Sequence, residues 1–282
     1  MKKIINQTLT GERAAYASTD TEFVGCTFED GESPIKESRN VSVTDCTFGW
    51  KYPLWYCDGA KVTRTKWLET ARSGVWYTNN LEIRDSLIGA PKQFRRCENV
   101  RIENSDIPKA QETLWDCRNV KLSNMHVVGD YFGFNSDTVN LKNVRVDGNY
   151  CFDGGKNIVA EDCIFNTKDS FWNCENVVLK NCVVIGEYIG WNSKNLTFIN
   201  CEMESNQGFC YIDGLKLVNC KLKNTDLAFE LCKNLDVEVV SHVDSIKNPI
   251  SGIIRVKSVG ELILDKRFID PSKTVIKVGD NE

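Results

Sequence analysis

The chain has 282 residues, a formal net charge of −4, 41% hydrophobic residues and 26% charged residues. That balance suits a folded globular protein rather than a disordered one, and it supplies no surplus of positive charge for nucleic acid or an anionic membrane surface. No apolar run approaches the roughly 18 residues that a membrane-spanning helix needs.

Residues 1–22 open with MKKIINQTLT, two lysines with no apolar stretch behind them. They are expected to form an N-terminal cap rather than a signal peptide, which makes the cytoplasm the default location. From 23 to 264 the chain is periodic. An aliphatic anchor recurs at Val41, Ala60, Leu81, Val100, Val120, Val139, Ile158, Val177, Leu196, Leu215 and Leu235, always 19 to 21 residues apart. Around each anchor the apolar residues alternate, as in Trp115 with Cys117, Val100 with Ile102, and Cys163 with Phe165. A spacing of two is the strand period, so each repeat reads as three short strands. Between them stand Asn, Asp or Gly, the residues that bend most easily into the left-handed region. Asn99, Asn119, Asn176 and Asn195 form one corner, and Asn104, Asn124, Asn181 and Asn200 another.

The expected fold is all-β: a single-stranded right-handed parallel β-helix, a solenoid of about 11–12 rungs. A hexapeptide solenoid would need a six-residue repeat, and a leucine-rich repeat carries only one strand per turn. Residues 265–282 read as a closing segment and tail, so the chain is one domain overall. The column of Trp55, Trp76, Trp115, Trp172 and Trp191 is expected to face the core, as is the column of Cys163, Cys182, Cys201 and Cys220. Thirteen cysteines, an odd number, without a Cys-x-x-Cys pair and with two histidines, point to reduced packing thiols rather than a disulfide framework or zinc site. No metal and no cofactor is expected.

A stacked fold turns one outward position into a ladder, so chemistry is sought in columns. One column enters the Trp strand: Lys51, Arg72, Lys92, then Glu112, Asp130, Asn149, Asp169 and Glu187. A second lies between Trp and Cys: Tyr56, Tyr77, Arg96, Asp116, Asn135, Gly154, Asn173, Asn192 and Tyr211. Together they predict a lengthwise groove, basic toward the N-terminal rungs and acidic in the middle. Carboxylates one or two coils apart would stand roughly 5 or 10 Å apart, a range that embraces glycosidase acid/base pairs. Glu112, Asp116 and Asp130 are therefore the candidate catalytic residues. Lys51, Arg72, Lys92, Arg96, Tyr56, Tyr77, Asn135 and Asp169 are candidate substrate-binding residues. His126 is read as a surface residue between Asp106 and Arg145 in its column. No P-loop, dinucleotide glycine motif, His-Glu-x-x-His or Gly-x-Ser-x-Gly is present.

GER at Gly11–Arg13, TFEDGESPIKES at Thr27–Ser38, WKYPLWYC at Trp50–Cys57, GVWYTNN at Gly74–Asn80, FRRC at Phe94–Cys97, ETLWDC at Glu112–Cys117 and TDLAFE at Thr225–Glu230 are a specific run of motifs. Across nearly its whole length the chain resembles the bacterial domain-of-unknown-function 3737 family. The resemblance implies a pectin-lyase-like right-handed β-helix and brings no catalytic residues with it. Two functions remain open at this point. One is a protein that binds or hydrolyses an oligosaccharide or glycoconjugate along the groove, as a glycoside hydrolase or polysaccharide lyase would. The other is a non-catalytic scaffold for a protein partner, including a homo-oligomer.

Overall fold

The computed structural model describes residues 1–279. The end of the expected tail, 280–282, lies outside the described residues. Alternation and corner residues give the expected all-β parallel β-solenoid, with about 15 turns where 11–12 rungs were expected, because the repeat extends into the terminal segments. Among the described residues the one short helix is a 3-10 turn at Pro271–Lys273. Strand Glu98–Ile107 shows the rule: it pairs in parallel with Asn79–Arg84 on one edge and Arg118–Val128 on the other. In that register Leu81, Val100 and Val120 are direct neighbours. Positions remote along the chain thus sit at the strand spacing of roughly 4.8 Å.

The chain divides into two compact units, Met1–Val144 and Arg145–Glu282. In the first, the segment expected as a cap is itself a coil. Lys2–Ile5 pairs with Thr21–Val24, and Thr8–Thr10 pairs with Thr27–Glu29. The core of this unit includes a file of rings, Phe23, Phe28, Phe48 and Trp67, with successive centroids 5.5, 5.0 and 5.0 Å apart. Burial of each such side chain contributes about 1.5–3 kcal/mol before chain entropy is counted. In the second unit the column Cys163, Cys182, Cys201, Cys220 is buried beside Phe165, Val184, Met203 and Leu222. Late coils there depart from the repeat: Leu235 pairs with Gly252, a shorter coil, and Gly252 with Thr274 in the closing strand Thr274–Val278, a longer one. All thirteen cysteines are buried free thiols.

Both asparagine corners form hydrogen-bonded ladders. Asn119 Nδ2 donates to Asn99 Oδ1 at 2.6 Å, and Asn99 Nδ2 to Asn80 Oδ1 at 2.9 Å. At the other corner Asn143 donates to Asn124 and Asn124 to Asn104, both at 2.9 Å. In the second unit Asn195 donates to Asn176 at 3.1 Å and Asn219 to Asn200 at 2.8 Å. The φ angles of Asn80, Asn99 and Asn119 are 54°, 57° and 51°, which is where Asn is tolerated and β-branched residues are not.

The third side differs from the expected strand. It is a series of tight turns joined by isolated parallel bridges at Trp76–Arg95 and Arg95–Trp115. Every second residue there is left-handed, for instance Glu112, Leu114 and Asp116 at φ 50°, 62° and 53°. Strand alternation fails in such a backbone. The inward residue is the one before each tryptophan: Leu54, Val75, Leu114 and Phe171 are wholly buried. The tryptophans themselves, expected in the core, are half-buried on the surface.

Candidate ligand-binding flank

On the first unit, the turns of the third side set two surface columns next to each other. The inner of the two starts with Tyr52 against Trp55, ring centroids 4.5 Å apart, and continues with Trp55 stacked on Trp76 at 5.1 Å and 8°. Arg95 occupies the next coil. Its guanidinium carbon lies 4.6 Å from the Trp76 ring and 4.5 Å from the Trp115 ring, a cation held between two indoles. Phe134 closes the file 5.1 Å from Trp115. Each indole N–H donates to a carbonyl on the next coil: Trp55 to Ser73 at 2.6 Å, Trp76 to Lys92 at 3.0 Å and Trp115 to Tyr131 at 2.7 Å. Neighbours in the file thus lie against Trp55, Trp76 and Trp115 on both sides.

The second column is Tyr56, Tyr77, Arg96, Asp116 and Asn135. Tyr56 and Tyr77 stack at 4.8 Å and 5°, with Lys36 over the Tyr56 ring and Arg96 over the Tyr77 ring. Arg96 Nε is 4.0 Å from Asp116 Oδ2. Asn135 is exposed at the end of this file.

Several members of the charge-segregated column are engaged in ion pairs. Lys51 Nζ meets Glu32 at 3.0 Å, and Lys92 Nζ meets Glu112 at 3.1 Å. Glu112 also lies 3.5 Å from Arg95 Nη2. Its backbone N–H donates to the Asp130 carbonyl at 3.0 Å, so Glu112 and Asp130 occupy adjacent coils as expected. Asp130 is half-buried, and Arg72 is exposed. Asp169 belongs to the second unit and is only 3% exposed, out of reach of a polymer on the surface. Its backbone N–H is tied to the Glu187 carbonyl at 3.0 Å, and burial pushes its carboxyl pKa up despite the Lys168 charge and the Tyr150 hydroxyl beside it. The expected role of Asp169 as a binding group is thus not available to it in this conformation.

Where the third side passes into the next strand there is an open depression of about 510 Å³ lined by Asn79, Arg96, Cys97, Glu98, Asp116 and Arg118. Asn79, Glu98 and Arg118 are register partners on three successive coils, and Asn79 Oδ1 accepts the Glu98 backbone N–H at 3.1 Å. Arg118 is exposed and makes no ion pair among the described residues. Arg96 and Asp116 were legible beforehand as members of a polar column. Asn79, Glu98 and Arg118 form their own file two residues before each anchor, and that file was the available signal. No group of three His, Cys, Asp or Glu among the described residues is placed to hold a metal ion.

Against known proteins, the family model described as "Protein of unknown function (DUF3737)" matches residues 2–277. The chain belongs to this family. No curated protein matches it in sequence. Among solved structures it is similar to PfbA, a surface adhesin of Streptococcus pneumoniae, at 14% identity and TM-score 0.44, covering 74% of this chain and 70% of that one. It is also similar to the tailspike protein of E. coli bacteriophage HK620, solved with a hexasaccharide, at 7% identity and TM-score 0.44, covering 89% of this chain and 65% of the tailspike. An alginate lyase from Paenibacillus sp. aligns at 9% identity and TM-score 0.36, over 78% of this chain and 99% of the lyase. What those proteins bind or cleave remains theirs.

Proposed function

We propose that the first unit of this DUF3737 protein binds a hydroxyl-rich ligand of the oligosaccharide class at the Asn79–Arg96–Glu98–Asp116–Arg118 depression, and holds it without cleaving it. One observation carries the reading: an amide, two guanidinium groups and two carboxylates converge on one open depression. Planar donors and acceptors of this kind match pairs of hydroxyls, and nothing in the lining offers an extended apolar floor. Two of the three candidate acids support retention without hydrolysis. Glu112 is shared by Lys92 and Arg95, and Asp116 faces Arg96, so these two carboxylates already have cationic partners.

The test is calorimetric titration and thermal shift with neutral and acidic oligosaccharides on the full chain, compared with R118A and D116N. Binding that weakens about tenfold in both variants and is unchanged in R72A supports the site. Binding that ignores R118A and D116N, or steady release of reducing ends by the wild type, overturns it. The scaffold reading is favoured by a different observation, the stacking of Trp55 on Trp76, of Tyr56 on Tyr77 and of Arg95 between Trp76 and Trp115, which occupies those ring faces. It predicts no glycan binding, together with a concentration-dependent mass in sedimentation.

A further inference from the structure

In the second unit, strands Leu235–Lys247 and Gly252–Ile263 pair in parallel with one irregularity. Val239 pairs with Val256 and His242 with Ser258, so three steps on one strand oppose two on the other. Such a bulge re-aims side chains, and bulges are over-represented beside active sites. Here it places an imidazole against a hydroxyl: His242 Nδ1 is 2.9 Å from Ser258 Oγ. The other ring nitrogen, Nε2, is 3.7 Å from Asp244 Oδ1. Gly260 lies beside both. A Cβ there would meet the Asp244 carbonyl oxygen at 2.5 Å and stand 3.7 Å from Nε2, so the glycine keeps this flank of the ring open.

We propose that Ser258, His242 and Asp244 form a nucleophile, base and carboxylate for hydrolysis of small O-acyl esters, a site separate from the ligand-binding flank. With Nδ1 unprotonated, the Ser258 hydroxyl donates to it and Nε2–H faces the carboxylate. Ser258 Oγ attacks the ester carbonyl as its proton passes to Nδ1; the acyl carbon–oxygen bond to the alcohol then breaks, and the alcohol takes that proton. Water repeats the route on the acyl-serine, giving the carboxylic acid and restoring the hydroxyl. Asp244 offsets the positive charge on the ring while the proton resides there.

One neighbouring feature suits the reaction. A depression of about 270 Å³ lies immediately before these residues on the same two strands, lined by Glu238, Val239, Val240, Arg255, Val256, Lys257 and Gly279. It is of a size for a small acyl or alcohol group.

Incubating the full chain with p-nitrophenyl acetate and, separately, with a fluorophosphonate probe tests the assignment, the modified residue being mapped by peptide mass. The expected result is acylation and phosphonylation at Ser258, abolished in S258A. H242Q should slow both by about 100-fold or more, within the usual range for a general base, and D244N should slow them less. Matching melting curves for wild type and H242Q would tie the loss to the imidazole. Absence of label in the wild type, label at another serine, or an unchanged rate in H242Q would overturn the proposal and leave an ordinary polar pair on a sheet surface.

Discussion

Replacing Arg95 with methionine removes the positive charge from between Trp76 and Trp115 while keeping a slender chain in the gap. The guanidinium lies 4.6 and 4.5 Å from the two rings, and the side chain is 22% exposed. Each contact therefore falls between the exposed value of about 0.5–1 kcal/mol and the desolvated value of about 2 kcal/mol. The ion pair with the partly exposed Glu112 adds about 0–1 kcal/mol. Against this, Nε and Nη2 are buried without a hydrogen-bond partner, a penalty that methionine relieves. Methionine also recovers part of the packing through its sulfur. The balance predicts that R95M destabilises by about 1–2 kcal/mol. R95A, which opens a gap between the indoles as well, should lose about 2–4 kcal/mol. The assay is urea unfolding followed by tryptophan fluorescence and far-UV circular dichroism, with the slope checked for constancy. An R95M protein as stable as the wild type would show that the cation between the rings is not what holds this file together.

Three other outcomes are expected. Burial holds the Cys57 thiol up at about 12, and Cys46, under burial first of all, at about 11, so native protein at pH 8 should resist a disulfide reagent and react fully in urea. Because these folded values exceed the unfolded value of 9.0, their contribution to stability is intact below pH 9 and declines as pH rises toward 12; a melting temperature that held steady across that window would contradict this. At Asn99, φ 57° and two ladder bonds predict that N99A loses about 1–2 kcal/mol and N99G less, since glycine accepts the left-handed backbone; equal losses would assign the effect to the hydrogen bonds alone. Finally, the raised carboxyl pKa of Asp169 means that its ionised form weakens the fold at neutral pH, so D169N should raise the melting temperature at pH 7 and do so less at pH 4.

The repeat was readable because strand registry forces like residues into files. Val100, Val120 and their kin announce the core, and the asparagines announce the corners, where only a few residue types fit. The third side was misread for the opposite reason. Its left-handed residues are Leu114, Phe94, Glu112 and Tyr77, types that carry no signature of that backbone, so Trp115 and Cys117 looked like one face of a strand. With alternation lost, the tryptophans move to the surface and Leu114 takes the core. The position of Arg95 was nonetheless present in the pattern, since it falls in the tryptophan file between Trp76 and Trp115. The His242–Ser258 contact was not readable in this way. Beyond Leu235 the coil shortens and a bulge shifts the register, so a fixed period of 19 to 21 does not bring those two residues together.

Coil superposition, on which both proposed sites depend, can be measured by oxidative cross-linking at the exposed register pair Arg101 and Lys121. A double variant R101C/K121C should close a disulfide rapidly, because adjacent parallel strands bring the two Cα atoms within bonding range. R101C/S123C, displaced by two residues, should stay reduced under the same oxidant. Equal cross-linking of both pairs, or of neither, would contradict the stacking register.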